Sequence, residues 1–129
     1  MSVTYLDSSA IVKLAVREPE SDALRKHLRR RPLVSSGLAR TEVLRALLPG
    51  GDASLNAGRR VLGRIDLVRV NERVLNLAGS LLPEMLRSLD AIHLATAVRL
   101  GSDLGEIVTY DDRMATAARA MGYKVVAPG

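Results

Sequence analysis

Short apolar runs alternate along the chain with longer stretches in which apolar residues recur at helical spacing. Five runs have the length and β-branched content of strands: VTYL (3–6), PLVSS (32–36), DLVRV (66–70), EIVTY (106–110) and KVVA (124–127). The stretches between them predict helices over about 8–17, 19–30, 38–48, 53–62, 72–82, 88–100 and 112–121. Pro19 is expected to start the second helix, Pro83 to mark a break, and PGGDAS (49–54) to form a turn between helices.

Strands that alternate with helices are typical of a parallel sheet, because parallel neighbours need crossover connections. We therefore expect an α/β fold with three layers, α/β/α, around a central, mostly parallel five-stranded sheet. The chain has 129 residues and no visible repeat or interdomain linker, so we expect one domain over 1–129. In such sheets ligands bind beyond the carboxyl ends of the strands.

Composition narrows the classes of function. The chain contains no cysteine, which excludes disulfides, zinc–thiolate sites and thiol catalysis. No apolar run approaches the roughly 20 residues of a membrane span, and Asp7 interrupts the only apolar run near the start, so no signal pattern is present. We expect a cytoplasmic protein that does not enter a membrane. The net charge of +5 favours a polyanionic partner, above all nucleic acid.

Acidic residues stand at positions where this fold would gather them. Four segments carry them: YLDSSA with Asp7, RTEVLRAL with Glu42, LDAIHLATA with Asp90, and IVTYDDRM with Asp111 and Asp112. Asp7 and the Asp111–Asp112 pair follow predicted strands and so lie at the carboxyl edge of the sheet. A group of carboxylates is what a hard divalent cation such as Mg²⁺ requires.

Each carboxylate also has a purely structural interpretation. Asp7 and one of the two later aspartates are good N-caps for the helices that follow them. Glu42 could form a surface ion pair with Arg45, three residues on. Ser88 as an N-cap would place Asp90 in the first helical turn, where the helix dipole favours negative charge. The two interpretations remain open for each residue taken alone.

Other catalytic chemistries find little support. Only His27 and His93 are available for a histidine-rich zinc site, and no glycine-rich phosphate loop is present. A Ser–His–Asp triad could be written from Ser8 or Ser9 with His93, but no nucleophile-elbow sequence accompanies them.

The segments YLDSSAIVKL, RTEVLRAL, LDAIHLATA and IVTYDDRM resemble the four signature blocks of the PIN-domain ribonucleases, and more narrowly of the VapC toxins of bacterial toxin–antitoxin pairs. The blocks occur in the family order between positions 5 and 114. The resemblance implies a catalytic and metal-binding quartet with supporting hydroxyls: Asp7, Glu42, Asp90 and Asp111, with Ser9 and Thr109 in support. Asp112 would either assist or cap a helix. His93 lies three residues after Asp90, so the two could share one helix face and a direct metal role is open, whereas the resemblance favours a packed or orienting side chain.

The resemblance implies an Mg²⁺- or Mn²⁺-dependent endoribonuclease that hydrolyses RNA with a metal-activated water. It also implies a homodimer and a cognate antitoxin, for which apolar helices near 10–16 and 38–48 could supply a groove. Few aromatic residues are available for stacking on bases, so phosphate contacts would dominate RNA binding. The arginines nearest in sequence to the acids are the candidates for this role: Arg40, Arg45 and Arg113.

Two alternatives from other classes have weaker support. A catalytically degenerate PIN domain would bind RNA without cutting it, although all four acids are present here. A phospho-accepting receiver domain also uses acids at strand ends, but it requires an acidic pair before the first helix and a lysine at the end of a late strand. Here LDSS supplies one acid, and Lys124 begins its strand.

Overall fold

The structure is a computed structural model that describes residues 2–129. The strands are β1 (Val3–Leu6), β2 (Leu33–Ser36), β3 (Asp66–Val68), β4 (Leu104–Val108) and β5 (Val125–Val126). The helices are α1 (Ser8–Ala15), α2 (Ser21–Leu28), α3 (Leu38–Leu47), α4 (Gly51–Leu62), α5 (Glu72–Ser80), α6 (Ser88–Val98) and α7 (Asp112–Ala120). The alternation of strands and helices predicted from the sequence is confirmed.

The five strands form one sheet in the order β3-β2-β1-β4-β5, and every neighbouring pair is parallel. The predicted five-stranded sheet is therefore confirmed, and within it no antiparallel pair occurs among residues 2–129. β1 lies at the centre, and Leu6 at its end pairs with Val108 at the end of β4. This register brings the residues that follow β1 and β4 to the same edge of the sheet.

Helices cover both faces of the sheet, which confirms the three-layer architecture. Successive residues of β1 point to opposite faces, as strand geometry requires. Leu6 belongs to a core cluster with residues of α1 to α4, whereas Tyr5 belongs to a second cluster with residues of α6 and α7. Burial of these aliphatic faces is the main stabilising contribution to the fold.

Several predicted boundaries are wrong by about two residues. β4 ends at Val108 rather than at 110, because its pairing with β1 ends where β1 ends. α2 begins at Ser21 rather than at Pro19, because the Ser21 hydroxyl accepts a hydrogen bond from the Glu18 amide and holds the preceding turn. The predicted 49–54 turn is also shorter, since α4 already begins at Gly51, whose φ of 76° permits the sharp entry.

The predicted break at Pro83 is present, because α5 ends at Ser80 and α6 begins at Ser88. Ser88 is not an N-cap, however. It is the first helical residue, and Arg87 occupies the cap position without a side-chain hydrogen bond. None of the helices within residues 2–129 combines the length and the apolar character needed to cross a membrane.

Candidate active site

Asp7 is held by hydrogen bonds at the junction of β1 and α1. Its Oδ1 accepts from the Ser9 hydroxyl at 2.6 Å and from the Ala10 amide at 3.1 Å, so it caps α1 as the sequence predicts. Its Oδ2 accepts from the Thr109 hydroxyl at 2.5 Å. The side chain is almost fully buried, and burial raises the pKa of the Asp7 carboxyl, while the hydrogen bonds from Ser9 and Thr109 partly offset that rise.

Ser9 and Thr109 also join the ends of β1 and β4. The Ser9 oxygen accepts a hydrogen bond from the Tyr110 amide at 3.0 Å, and the Thr109 oxygen accepts one from the Asp111 amide at 3.0 Å. These two hydroxyls thus fix the path of the chain from β4 to Asp111 while they hold Asp7.

Asp111 caps α7 with only one of its oxygens. Its Oδ1 accepts from the amides of Arg113 and Met114 at 2.9 and 3.1 Å. Asp112 is the first residue of α7 and is exposed, so the cap belongs to Asp111. The side chain of Asp112 makes no hydrogen bond or ion pair within residues 2–129, and the structure therefore gives it no structural role.

Glu42 lies on α3 and is tied to two other helices through one oxygen. Its Oε1 accepts from the Ser8 hydroxyl at 2.6 Å and contacts His93 Nε2 at 2.6 Å. The alternative ion pair with Arg45 is absent within residues 2–129. Partial burial would raise the pKa of the Glu42 carboxyl, but the hydrogen bonds from His93 and Ser8 outweigh burial, and the net pKa is lowered.

The contacts of His93 exclude the Ser–His–Asp triad. A triad uses one imidazole nitrogen for the nucleophile and the other for the acid. Here Ser8 Oγ, at 3.2 Å, and Glu42 share the same nitrogen, Nε2, whereas Nδ1 contacts the Tyr5 hydroxyl at 2.7 Å. The hydroxyl of Ser9, the other candidate nucleophile, donates a hydrogen bond to Asp7 and none to His93 within residues 2–129.

Asp90 lies in the first turn of α6, half-buried, and it differs from the other three acids. Its side chain forms no hydrogen bond and no ion pair within residues 2–129. Its burial, followed by the negative charges of Asp111, Asp7 and Glu42, raises the pKa of the Asp90 carboxyl. The four acids from β1, α3, α6 and the start of α7 therefore share one electrostatic environment.

The site offers oxygen donors, although they do not form a closed ligand set. As placed, no group of three or more acidic or histidine side chains within residues 2–129 has the geometry to hold a metal ion. Several carboxylate oxygens nevertheless have no protein partner in this part of the chain: both oxygens of Asp90, Oδ2 of Asp111 and Oε2 of Glu42. Hard, anionic oxygens of this kind are the ligands that Mg²⁺ and Mn²⁺ prefer.

The three candidate arginines are exposed and make no ion pair with any of the described residues 2–129. Arg113 lines a cavity of about 340 Å³ with Pro83, Met85 and Asp112, directly beside Asp111. Arg40 lines a separate cavity of about 460 Å³ between α3 and α4. Arg45 lies on the exposed side of α3.

Sequence reasoning did not find Tyr5 or the role of Ser8. Tyr5 reads as an ordinary core residue of a strand, and its partner His93 is 88 positions away. The usable signal was the spacing of His93 three residues after Asp90, which places both on one side of α6. No sequence pattern connects that position with Tyr5.

Comparison with known proteins gives consistent results over nearly the whole chain. The PIN domain family model matches residues 4–120. The chain is 67% identical to Ribonuclease VapC46 of Mycobacterium tuberculosis, covering 99% of both chains. It is 42% identical to Ribonuclease VapC35 of the same species, covering 97% of this chain and 96% of the relative.

Solved structures share the fold at much lower sequence identity. The VapC20 toxin of Mycobacterium tuberculosis, described as cleaving the sarcin-ricin loop, superposes with a TM-score of 0.74 at 16% identity, covering 97% of this chain and 99% of that one. A toxin–antitoxin complex from Klebsiella pneumoniae gives 0.72 at 18% identity, covering 98% of both chains. The match of the family model and the 67% identity over the full length confirm the family predicted from the four sequence blocks. The chain belongs to the PIN-domain family and, within it, to the VapC ribonucleases.

Proposed function

We propose that the protein is a divalent-metal-dependent endoribonuclease and the toxin of a toxin–antitoxin pair. The observation that carries the proposal is geometric: Asp7 and Asp111 follow the paired strands β1 and β4, and Asp90, Asp111 and Glu42 keep carboxylate oxygens without a protein partner within residues 2–129. The negative charges of Asp111, Asp7 and Glu42 add to burial in raising the pKa of the Asp90 carboxyl. Four carboxylates close enough to raise a pKa repel one another, and a cation would remove that repulsion. Membership of the VapC ribonucleases supports RNA as the substrate.

The residues present fit an Mg²⁺ or Mn²⁺ ion by the chemistry of their donors. Asp90, Asp111 and Glu42 would hold it through carboxylate oxygens without protein partners, and Asp7 through the lone pair that Oδ2 retains beside its bond from Thr109. When bound, the ion would supply the Lewis acidity that activates water and offsets negative charge on the leaving oxygen.

The surrounding residues would orient the acids and hold the RNA. Ser9 and Thr109 fix both oxygens of Asp7, so this carboxylate would act as a rigid reference for the site. The acidic edge repels RNA, and the exposed guanidinium groups of Arg40, Arg45 and Arg113 would compensate by binding phosphates. Hydrolysis by water would leave a 5′-phosphate and a 3′-hydroxyl.

The nuclease proposal is tested with purified protein and RNA in Mn²⁺ or in EDTA. Asp111→Asn retains a good N-cap but loses the charge, so it should fold and fail to cleave. Asp103→Asn is the matched control, because Asp103 is exposed at the opposite edge of the sheet, just before β4. Cleavage that persists in excess EDTA, or equal rates in the two variants, would contradict the proposal.

A groove between α1, α2, β2 and α4 supports an antitoxin as the partner. Its cavity of about 290 Å³ has an aliphatic floor and an arginine rim: Leu14, Leu28, Leu33, Val61 and Ile65, with Arg25, Arg29 and Arg64. An amphipathic segment with acidic residues would match both. Of the two helices expected to form an antitoxin groove, the one near residues 10–16 lines this groove with Leu14. The other, α3, lines a different cavity with Leu44.

The partner proposal is tested by co-expression with the product of a small open reading frame adjacent to the gene. Val61→Asp places a charge on the floor of the groove and should prevent co-purification, while Leu75→Asp, at an exposed site on α5, should not. Retention of the complex by Val61→Asp would exclude this groove. We further propose a homodimer, testable by sedimentation, and action on intracellular RNA in the cytoplasm.

A further inference from the structure

Tyr5 and His93 are buried polar side chains next to the four proposed metal ligands. Tyr5 contacts His93, and of the four ligands His93 contacts only Glu42. Tyr5 is 0% exposed and His93 is 2% exposed. Their rings meet edge to face with centroids 6.0 Å apart, in a core otherwise formed by residues such as Leu94 and Ile107. Apolar side chains would fill this space without the cost of burying a hydroxyl and an imidazole. The polarity of the pair therefore needs an explanation beyond packing.

The hydrogen bonds give the pair a direction. A carboxylate only accepts hydrogen bonds, so the 2.6 Å contact between Glu42 Oε1 and His93 Nε2 places a proton on Nε2. In the neutral imidazole the other nitrogen, Nδ1, is then an acceptor. The Tyr5 hydroxyl, 2.7 Å from Nδ1, donates to it.

The chain of hydrogen bonds ends on one side of the Glu42 carboxylate. Ser8 donates to the same oxygen, Oε1, at 2.6 Å, and Oε2 forms no hydrogen bond within residues 2–129. Glu42 stands on α3, Ser8 on α1 and His93 on α6, so three helices and β1 fix one carboxylate. Without these bonds, a glutamate side chain on a helix surface samples many rotamers.

We infer that Tyr5 and His93 are positioning residues, which together with Ser8 fix Oε1 of Glu42 and thereby present Oε2 to the divalent cation; this inference rests on the function proposed above. Partners that orient a ligand from behind are worth about 10–100-fold in metal affinity or activity. Because Tyr5 contacts neither the cation nor RNA in this arrangement, its effect must pass through Glu42.

The central test is the Mn²⁺ affinity of Tyr5→Phe, measured by calorimetry on the full chain. This substitution removes one oxygen and leaves the ring packed in the core. We expect Mn²⁺ to bind about 10-fold more weakly. Tyr123→Phe is the matched control, because the Tyr123 side chain makes no hydrogen bond within residues 2–129, and it should bind as the wild type does.

A double-mutant cycle separates positioning from packing. In a Glu42→Ala background, Tyr5→Phe should change the Mn²⁺ affinity no further, because the group that Tyr5 positions is gone. A loss of affinity that persists undiminished in that background would overturn the inference. His93→Gln keeps a donor near the place of Nε2 and should bind Mn²⁺ more tightly than His93→Leu. Equal affinities of these two variants would also contradict it.

A spectroscopic readout distinguishes this inference from the nuclease proposal. Imidazole ¹⁵N spectra in EDTA at pH 8 require neither metal nor RNA. The expected spectrum of His93 shows a protonated Nε2 and an unprotonated Nδ1, and Glu42→Ala should shift the Nε2 signal. Any other protonation pattern overturns the inference. If wild-type protein binds no Mn²⁺, the proposed function has failed, and the ¹⁵N result alone decides whether the hydrogen-bond chain exists.

Discussion

Thr109→Val tests how the fold maintains a buried carboxylate at its centre. The substitution is nearly isosteric and removes the hydroxyl that donates to Asp7 Oδ2 at 2.5 Å. Thr109 is 1% exposed and Asp7 is 4% exposed, so water cannot replace the lost donor without a rearrangement. A hydrogen bond to a charged group contributes about 1.5–3 kcal/mol. We expect the free energy of unfolding to fall by that amount when Asp7 is ionised.

The pH dependence of this loss has a definite sign. Burial has already raised the pKa of the Asp7 carboxyl, and removal of the Thr109 hydroxyl, which holds that pKa down, raises it further. A folded-state pKa above the unfolded value means that the contribution to stability is present at low pH and is lost as the pH rises through the folded pKa. The deficit of Thr109→Val should therefore grow with pH. The bond that the Thr109 oxygen accepts from the Asp111 amide is lost at every pH, and below the pKa of Asp7 the bond to its carboxyl is neutral, so each contributes about 0.5–1.5 kcal/mol there.

The assay is thermal and urea unfolding in EDTA between pH 5 and pH 9. Thr116→Val is the matched control, because the Thr116 hydroxyl donates to the Asp112 carbonyl on the exposed face of α7. This variant should change the unfolding free energy by less than about 0.5 kcal/mol at every pH. If Thr109→Val is as stable as Thr116→Val, or if its deficit shrinks as the pH rises, the reasoning about Asp7 is refuted.

Three further changes probe the acids and the basic surface. Asp90→Asn relieves repulsion among ionised carboxylates, so at neutral pH the metal-free protein should melt at an equal or higher temperature. Adding Mn²⁺ should raise its melting temperature less than that of the wild type, and the variant should not cleave RNA. A lower melting temperature with a full Mn²⁺ response would contradict this. Arg40→Ala or Arg45→Ala should reduce the salt dependence of RNA binding by roughly one unit of slope per lost contact, and an unchanged slope excludes that residue. Glu106→Gln weakens a part-buried hydrogen bond between the buried Glu106 side chain and His27. It should lower the unfolding free energy by about 1–3 kcal/mol while sparing cleavage, as measured by urea unfolding and RNA digestion.

The architecture was predictable because local pattern and topology agree in this chain. Apolar runs of strand length alternate with helical stretches, and that alternation alone favours a parallel sheet. The exact limits were not predictable, because a strand ends where its neighbour ends. EIVTY reads as apolar up to Tyr110, yet β4 stops at Val108 opposite Leu6. The end of β4 is therefore set by the end of β1, which lies about 100 positions away in the sequence.

The placement of the acids was predictable for those next to strands and less so for those on helices. Asp7 and Asp111 follow β1 and β4, so sheet topology brings them to one edge. Glu42 and Asp90 reach it through the packing of α3 and α6, for which the sequence offered only the resemblance to a family. The hydrogen bonds that fix Glu42 involve residues 34 and 51 positions away, and no local pattern encodes them.

The structural and chemical interpretations of the acids turn out not to exclude each other. Asp7 and Asp111 both cap helices, as the simpler interpretation predicts, yet Asp111 uses only one oxygen for the cap. For Glu42 the structural interpretation fails, since no ion pair with Arg45 is present within residues 2–129. For Asp90 only the cap at Ser88 is wrong, because Asp90 does lie in the first turn of α6. The dipole of α6 favours the negative charge of Asp90 by about 0.3–1 kcal/mol, whereas burial and the negative charges of Asp111, Asp7 and Glu42 disfavour it and raise its pKa. The dipole alone leaves the repulsion among these carboxylates uncompensated, and the cation proposed above would compensate it, because divalent cations of this class prefer carboxylate oxygens.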